Sequence, residues 1–209
     1  MTASKKAFGA IAVILLILLA DQIIKIWVKT HLALGEDIRI ADWFHIRFIE
    51  NEGMAMGIKV FGKLFLTVFR VIASVAIAYY LYTLIRNNFK IGYILLVSMI
   101  FAGAVGNIID SVFYGVIFSE STPMHVAMLF PPEGGYAGWL HGKVADMFYF
   151  PFFSFTWPAW IPWIGGSDFE FFRYIFNVAD ASISVGIVVL LLFFRKTLSL
   201  SFEKQEIES

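Results

Sequence analysis

Four long apolar runs constrain this chain more than any other feature. They cover residues 8–28, 64–85, 91–109 and 172–194. A helix that crosses a bilayer needs about 20 apolar residues, and each run is close to that length. With 209 residues, 59% of them hydrophobic and 15% charged, the chain is far more apolar than a soluble domain of its size. The sequence therefore predicts a single membrane domain, 1–209, with four transmembrane helices.

Basic residues mark one end of every run and predict the orientation of the helices. These residues are Lys5, Lys6, Arg86, Lys90, Arg195 and Lys196. If all four runs span, these residues lie on one side, which the positive-inside rule places in the cytoplasm. We therefore expect both termini to be cytoplasmic and two outer segments, 29–63 and 111–171. The first run also resembles a signal peptide, but 18–20 is a poor cleavage site, so we expect it to be retained.

The outer segments differ in pattern from the apolar runs. Residues 37–48 alternate partly between apolar and polar, which is typical of a strand or hairpin. Residues 148–172 are rich in Phe and Trp, a composition typical of a chain at the level of the lipid headgroups. The fold class that we predict is an all-α membrane protein with a small β-containing outer segment.

Composition excludes several kinds of chemistry. The chain has no cysteine, so disulfides, thiol nucleophiles and Cys-ligated metals are ruled out. Its four histidines lack the spacing of a metal site, and 16 basic residues balance 16 acidic ones, so no charge excess points to nucleic acid. We expect no cofactor and no metal.

Several acids lie within or at the ends of the apolar runs, where a carboxylate costs about 2.5 kcal/mol or more to insert. Asp21 and Asp180 are each 15 residues from the basic end of their run, or ~22 Å at 1.5 Å per residue. Asp110 is 20 residues beyond Lys90, or ~30 Å. These acids therefore gather toward the outer leaflet, which favours chemistry on a substrate presented there.

Two of these acids belong to a repeated Asn-x-x-Asp pattern, at Asn107–Asp110 and Asn177–Asp180. On a helix this spacing puts amide and carboxylate on one face, where the amide can hold the carboxylate. The simpler interpretation is hydrogen bonding between helices. Likewise, Asp21 with Lys25 fits a helix-end ion pair, residues 51–53 fit a turn, and Arg70 fits a snorkelling or acid-paired cation.

Five short segments, taken in chain order, resemble those of the lipoprotein signal peptidases, or signal peptidase II, a family of membrane aspartyl peptidases. They are Asp21-Gln22-Ile23-Ile24-Lys25, Asn51-Glu52-Gly53-Met54-Ala55, Gly106-Asn107-Ile108-Ile109-Asp110, Gly142-Lys143-Val144-Ala145-Asp146-Met147 and Phe176-Asn177-Val178-Ala179-Asp180. Each alone is a weak signal. Together they span most of the chain in the right order, so the resemblance is specific.

The resemblance implies a catalytic pair that differs from the symmetric pair Asp110 and Asp180. By it, Asp180 acts with Asp146, and Asp110 becomes a supporting residue. The full set of supporting or substrate-binding residues that it implies is Asp21, Lys25, Asn51, Gly53, Ala55, Asn107, Asp110, Asn177 and Ala179. The implied substrate is a prolipoprotein whose Cys after the signal peptide carries diacylglycerol, cleaved by a monomer that also contacts membrane lipids in the bacterial inner membrane.

Two features depart from the family pattern. Ser111 stands where the family usually has Arg, and we consider Arg173 as a possible substitute. The spacings of 36 positions from Asp110 to Asp146 and 34 from Asp146 to Asp180 are longer than expected. We interpret the added residues, around 131–135 and 157–163, as a lid or a membrane-surface element, or as simple packing of the outer face.

Hydrolysis of a peptide without Cys, metal or a Ser-His pair leaves two carboxyls that share one proton around a water. Two other functions stay open at this point. A proton-coupled transporter would need polar residues in the inner half of the helices, and 11–19 and 185–194 offer almost none. A non-catalytic scaffold would use the aromatic outer segment as a docking surface.

Overall fold

A computed structural model describes residues 2–52 and 62–208 as a helix bundle with a small sheet at one end. In chain order its elements are α1 (Ala3–His31), β1 (Asp37–Ala41), β2 (Phe44–Asn51), α2 (Lys63–Arg86), α3 (Ile91–Ile109), a π-helical turn (Asp110–Tyr114), α4 (Gly115–Ile117), β3 (Val144–Tyr149), β4 (Phe153–Thr156), β5 (Asp168–Phe171), β6 (Ile175–Phe176), α5 (Val178–Phe193) and α6 (Arg195–Glu208).

Helix α3 is the centre of the bundle and packs against α1, α2 and α5. Small residues permit its close approach to α5. A Cβ added at Gly103 would clash with the carbonyl oxygen of Ala179 and lie 2.5 Å from Ser182 Oγ. A Cβ at Gly106 would lie 2.8 Å from Asp21 Oδ2. Close packing of this kind is how membrane helices associate, because lipid provides little hydrophobic drive between them.

The basic ends of the helices lie together at one end of the bundle. Lys6 Nζ donates to the carbonyl oxygens of Asn88 and Phe89, at 3.0 and 2.6 Å, in the turn between α2 and α3. At the same end, Ser201 of α6 hydrogen-bonds Tyr80 of α2. Helix α6 turns away from α5 by 92°. The N-terminus, the α2–α3 turn and α6 therefore share one end, and the sheet occupies the opposite one.

The main sheet has four antiparallel strands in the order β1-β2-β3-β6, and β4 and β5 form a separate hairpin. The β2–β3 register aligns Ile49 with Asp146 and Asn51 with Val144. Strand β6 pairs with β3 and leads directly into α5. The sheet thus sets Asp146 beside Asn51 and close to the start of α5.

An apolar cluster fastens the sheet to the bundle. Its buried members come from the end of α1, from β2, from β3 and from the segment after α3: Val28, Leu32, Phe48, Tyr114, Phe118, Ala127, Ala145 and Met147. Burial of apolar side chains stabilises by about 1.5–3 kcal/mol per large residue. Strand β3, which carries Asp146, is therefore fixed to the helices by packing.

In the part of the chain that the structure describes, three helices are long and apolar enough to cross a membrane, and α5 passes the same test together with the bent start of α6. Several apolar helices of spanning length with a small antiparallel sheet are therefore confirmed, while the class all-α is too narrow, because the described residues form six strands. The run 172–194 was wrong at its start, because helix α5 begins only at Val178. Residues 175–176 belong to β6, and Asn177 caps the helix.

We predict that Gly103→Ala destabilises the protein by about 1–3 kcal/mol, because the new methyl group forces α3 and α5 apart. Gly9→Ala is the matched control, since its added Cβ would lie 3.6 Å from the nearest atom, Leu95 Cδ2, in ordinary contact. Unfolding in detergent micelles measures both variants. Equal stability of the two variants would contradict the close α3–α5 crossing.

Candidate active site

A buried ion cluster of Asp21, Lys25 and Asp110 forms the foundation of the site. Lys25 Nζ lies 2.9 Å from Asp21 Oδ2 and 2.9 Å from Asp110 Oδ2, and all three side chains are buried. Lys25 also donates to Asn107 Oδ1 at 2.9 Å. An ammonium has three N–H donors, so these three contacts use all of them. The cluster joins α1 to the end of α3.

The two carboxylates of this cluster each hold a backbone N–H. Asp21 Oδ1 accepts from the N–H of Ala179 at 2.9 Å, and Asp110 Oδ2 accepts from the N–H of Ala145 at 3.3 Å. Ala179 precedes Asp180 in the chain, and Ala145 precedes Asp146. One ion cluster therefore positions the backbone next to both of these acids.

Gln22 and Tyr114 complete this cluster. Gln22 Nε2 donates to Asp21 Oδ2 at 3.1 Å and to Asp110 Oδ1 at 3.0 Å, and Gln22 Oε1 accepts from the Tyr114 hydroxyl at 3.1 Å. The π-helical turn that begins at Asp110 carries Tyr114. Such turns often occur at functional sites because they change the direction of side chains within a helix.

Two asparagines link the acids of β3 and α5. Asn177 Nδ2 donates to Asp146 Oδ1 at 2.6 Å, and Asn107 Nδ2 donates to Asp180 Oδ1 at 2.7 Å. Asn177 Nδ2 also lies 3.2 Å from Asn107 Oδ1, so the two amides contact each other. Because Lys25 takes the oxygen of Asn107, the NH₂ group of Asn107 faces Asp180. The structure thus brings Asp146 and Asp180 to one amide pair.

Asn177 also begins helix α5. Its side-chain oxygen accepts from the N–H of Asp180 at 2.9 Å, and its own N–H donates to Asp180 Oδ2 at 3.4 Å, which completes a capping box. Asp180 therefore lies in the first turn of α5, where the helix dipole favours negative charge. Arg70 of α2 acts electrostatically on Asp180, Asp146 and Asp110, most strongly on Asp180.

Asp146 lies in a drier setting on β3. Its side chain is buried, and Asn51 of β2 joins Asn177 in hydrogen-bonding the carboxyl. Burial, and after it the charge of Asp180, together raise the pKa of Asp146 to about 7, against the lowering effects of Asn177, Lys25 and Asn51. Asp146 therefore keeps its proton up to about pH 7, whereas an ordinary aspartate loses its proton near pH ~4.

The structure changes the interpretation of the repeated Asn-x-x-Asp pattern. Neither amide holds the carboxylate of its own motif with its NH₂ group: Asn107 donates to Asp180, and Asn177 donates to Asp146. In addition, Asn177 precedes helix α5 instead of lying on a helical face. The two motifs differ in local structure, because one ends a helix and the other starts one.

Arg173 does not replace the family Arg at position 111, so that suggestion was wrong. Its Nε lies 3.9 Å from Glu170 Oε2, and its side chain is mostly exposed. Ser111 is buried and donates to the carbonyl oxygen of Asn107 at 2.9 Å. The carboxylate of Asp110 is instead matched by Lys25, Gln22 and the N–H of Ala145.

Two of the expected supporting residues, Gly53 and Ala55, lie outside the described residues. Among those described, sequence reasoning missed Gln22 and Tyr114 as site residues, although Gln22 stands within the first of the five segments. It also missed a second buried ion group, in which Lys29 pairs with Glu50 and donates to Ser121 Oγ at 2.8 Å. Lys29 is one turn beyond Lys25 on α1, and that helical spacing is the signal that could have revealed it.

The arrangement offers two carboxyls of different character joined by amides. One is buried and holds a proton near neutral pH, and the other faces N–H donors at a helix start. Such a pair can activate water and protonate a leaving group. Within residues 2–52 and 62–208, no group of three or more His, Asp or Glu side chains could hold a metal ion.

Comparison with known proteins gives a consistent result. Residues 13–196 match the family model described as signal peptidase (SPase) II. A lipoprotein signal peptidase of Porphyromonas gingivalis is 49% identical over 190 residues, which cover 90% of this chain and 84% of that protein. A lipoprotein signal peptidase of Amoebophilus asiaticus is 32% identical over 210 residues, covering 97% of this chain and 84% of the relative.

Two solved structures share the fold. Both are bacterial membrane enzymes solved by the in meso method. One has a TM-score of 0.61 at 21% identity and covers 90% of this chain and 88% of its own. The other has a TM-score of 0.59 at 22% identity, with coverage of 90% and 92%. At these identities the likeness concerns the fold.

We predict that Lys25→Met destabilises the protein by about 3–5 kcal/mol, because it leaves two buried carboxylates without their cation. Arg39→Met is the matched control: Arg39 pairs with Asp42 on the exposed surface, and its loss should change stability little. Unfolding in detergent micelles, followed for both variants at neutral pH, measures the difference. Similar stability for the two variants would show that the Lys25 cluster is not the foundation of the site.

Proposed function

Because the chain belongs to the signal peptidase II family and is a multi-pass membrane peptidase, we propose that it cleaves signal peptides from lipid-modified prolipoproteins with Asp146 and Asp180 as catalytic residues. The observation that carries this assignment is the Asn107–Asn177 amide pair, which contacts both carboxyls. Family membership also decides against the transporter and the scaffold as the function of the chain.

In the proposed reaction Asp146 begins protonated and Asp180 ionised. The environments of the two residues support these roles: Asp146 is buried, and Asp180 faces the Asn107 amide, the Asn177 N–H and Arg70. Asp180 accepts a proton from water, and the water oxygen attacks the scissile carbonyl carbon. Asp146 gives its proton to the carbonyl oxygen, which forms a neutral tetrahedral diol.

The second half of the reaction breaks the C–N bond. The proton now on Asp180 passes to the leaving nitrogen, and a hydroxyl proton of the diol returns to Asp146 as the carbonyl reforms. Water is thus divided between the new carboxyl and the new amine, and the two aspartates return to their starting states. The amide pair keeps both carboxyls oriented throughout, because Lys25 fixes the Asn107 oxygen.

The supporting residues act through the backbone. Asp21 and Asp110 hold the N–H groups of Ala179 and Ala145, so a shift in either carboxylate moves a catalytic residue. Asn51 orients Asp146 from the adjacent strand. We assign Gly53 and Ala55 to the substrate backbone on the family resemblance alone.

We also propose the membrane orientation. The end of the bundle that carries Lys6, the α2–α3 turn and α6 faces the cytoplasm, and the sheet and the two aspartates lie toward the outer leaflet of the inner membrane. Helix α5 has 16 residues, or about 24 Å, which is shorter than the hydrocarbon core. The diacylglyceryl chains of the substrate would therefore stay in the bilayer, beside a site near the membrane surface. A monomer suffices for the reaction, because both aspartates come from one chain.

We predict that Asp146→Asn and Asp180→Asn each abolish cleavage of a diacylglyceryl-modified prolipoprotein while the protein stays folded in the membrane. Each change removes an acid–base group but keeps the size of the side chain. Single-turnover assays of the purified variants, with melting temperatures measured in parallel, test this outcome. Normal turnover by either variant would refute the pair.

Asp110→Asn is the matched comparison for these variants. We expect it to lower the melting temperature and reduce activity, because Asp110 bonds Lys25 and the Ala145 N–H but donates no proton to substrate. Complete loss of cleavage in a variant of unchanged stability would instead favour Asp110 as a catalytic residue.

We predict that kcat/KM falls by about tenfold per pH unit above pH ~7, because the proton held by Asp146 is lost there and both carboxyls become ionised. The raised pKa has a second consequence for stability. The folded protein binds this proton more tightly than the unfolded chain, so the free energy of unfolding declines as pH rises from about 4 to 7. Asp146→Asn should remove that part of the decline. Activity that stays constant to pH 9 would contradict the protonated role of Asp146.

A further inference from the structure

Residues 150–174 form an insertion between the two aspartates. Strand β3, with Asp146, leads into it, and β6 leads from it to α5 and Asp180. Strands β4 and β5 form a two-stranded ribbon within the insertion, apart from the main sheet. We call β4, β5 and the loop 157–167 between them the aromatic ribbon.

The aromatic ribbon has two unlike faces, since neighbouring positions on a strand point to opposite sides. Aromatic and polar cross-strand pairs alternate along it. The aromatic pairs are Phe153–Phe171 and Phe155–Phe169, with ring centroids 4.9 and 5.0 Å apart, and the polar pairs are Ser154–Glu170 and Thr156–Asp168. The ribbon is therefore amphipathic, with acidic residues on its polar face.

The aromatic face and the loop are open. Phe153 and Phe171 are 53% and 46% exposed, Trp160 is 80% exposed, and Trp163 is fully exposed. A two-stranded hairpin is marginally stable in water unless its apolar face is covered. An apolar surface of this kind marks an interaction site.

A continuous line of rings joins this surface to the membrane helix α5. Phe176 directly precedes the Asn177 cap. Its ring centroid lies 6.0 Å from that of Phe172, and the ring centroid of Phe172 lies 6.2 Å from that of Phe152. Phe152 then contacts Phe171 at 6.3 Å, where the aromatic pairs begin. Helix α5 itself exposes apolar side chains along its length, such as Val185, Val188 and Leu191. Ring contacts thus connect the start of a spanning helix to the ribbon, and the same helix exposes apolar side chains from Val185 onward.

Charge is absent where the ribbon is most apolar. Residues 150–167 contain no Asp, Glu, Lys, Arg or His, and they include three Trp. Phe171 is six residues from Asn177, so the base of the ribbon lies within about 20 Å of the start of α5. Trp and Phe side chains prefer the boundary between headgroups and acyl chains.

We propose that the aromatic ribbon lies on the outer leaflet of the bilayer, with its aromatic face and its Trp-containing loop at the acyl boundary and Asp168 and Glu170 toward water. The partner is lipid of the leaflet itself. The line of rings favours lipid over a protein partner, because it joins the ribbon to the start of a spanning helix. This proposal does not depend on the peptidase mechanism.

The ribbon is also tied to the site. The Tyr149 hydroxyl donates to Glu170, and Tyr149 ends the strand that carries Asp146. Contact with the leaflet therefore fixes the height of Asp146 relative to the lipid. A substrate anchored in the same leaflet by its acyl chains would meet the site at a constant depth.

Single-cysteine labelling tests the proposal, since the chain has no native cysteine. The full chain with Trp163→Cys, labelled with a nitroxide, is reconstituted in zwitterionic phosphatidylcholine liposomes. We expect collisions with oxygen to exceed those with a water-soluble nickel chelate several-fold, as for a probe in lipid. Thr156→Cys, on the polar face of the same ribbon, is the matched control and should show the reverse.

Three results would overturn the proposal. Equal exposure of both probes to the nickel chelate would place the ribbon in water. Spin–spin broadening that disappears on dilution with unlabelled protein would identify a second copy as the partner. Burial of the Trp163→Cys probe only after addition of a lipidated peptide would identify substrate. None of these readouts involves cleavage, so they are independent of the outcome for the aspartate variants.

Discussion

The ammonium group of Lys25 is the point on which the rest of the site depends. It lies between two buried carboxylates and donates its third N–H to Asn107 Oδ1. A buried ion triad costs several kcal/mol in desolvation and is seldom the most stable way to fill a core. Here the triad orients the proposed catalytic residues, because each carboxylate also accepts a hydrogen bond from the backbone N–H of the residue that precedes one of them. Through these two carboxylates the cation connects α1 and α3 to α5 and to β3.

That cluster also determines how the two asparagine side chains are oriented. With the Asn107 oxygen on Lys25, its NH₂ group faces Asp180, and Asn177 turns its own NH₂ group toward Asp146. The two carboxyls then differ in their surroundings: Asp146 is buried on a strand, and Asp180 stands in the first turn of a helix. Different surroundings for two like groups are what an acid–base pair requires.

Much of this was accessible from sequence, and the gaps have physical causes. The lengths of the apolar runs identified the helices, and the basic residues indicated which helix ends lie on one side. Both signals can be read from a local stretch of sequence. The start of α5 was misplaced because 172–176 is apolar apart from Arg173, and composition cannot distinguish a strand beside the membrane from a helix within it. The roles of Gln22 and Tyr114 were missed because a lone amide or phenol in an apolar run carries no periodic signal. Arg173 was a wrong substitute, since nearness in sequence does not give reach in space.

The sequence by itself determined a membrane protein with several helices, a β-containing outer segment, and the family whose five segments occur in order. Local chemistry was enough for that, because apolar length and short motifs lie within single stretches of chain. Only the tertiary structure decided which amide serves which acid, that Lys25 supports both halves of the site, and that the ribbon of 153–171 is aromatic on one face. Those features arise from contacts between residues 12 to 158 positions apart, and pairing over such distances is settled by packing and strand register.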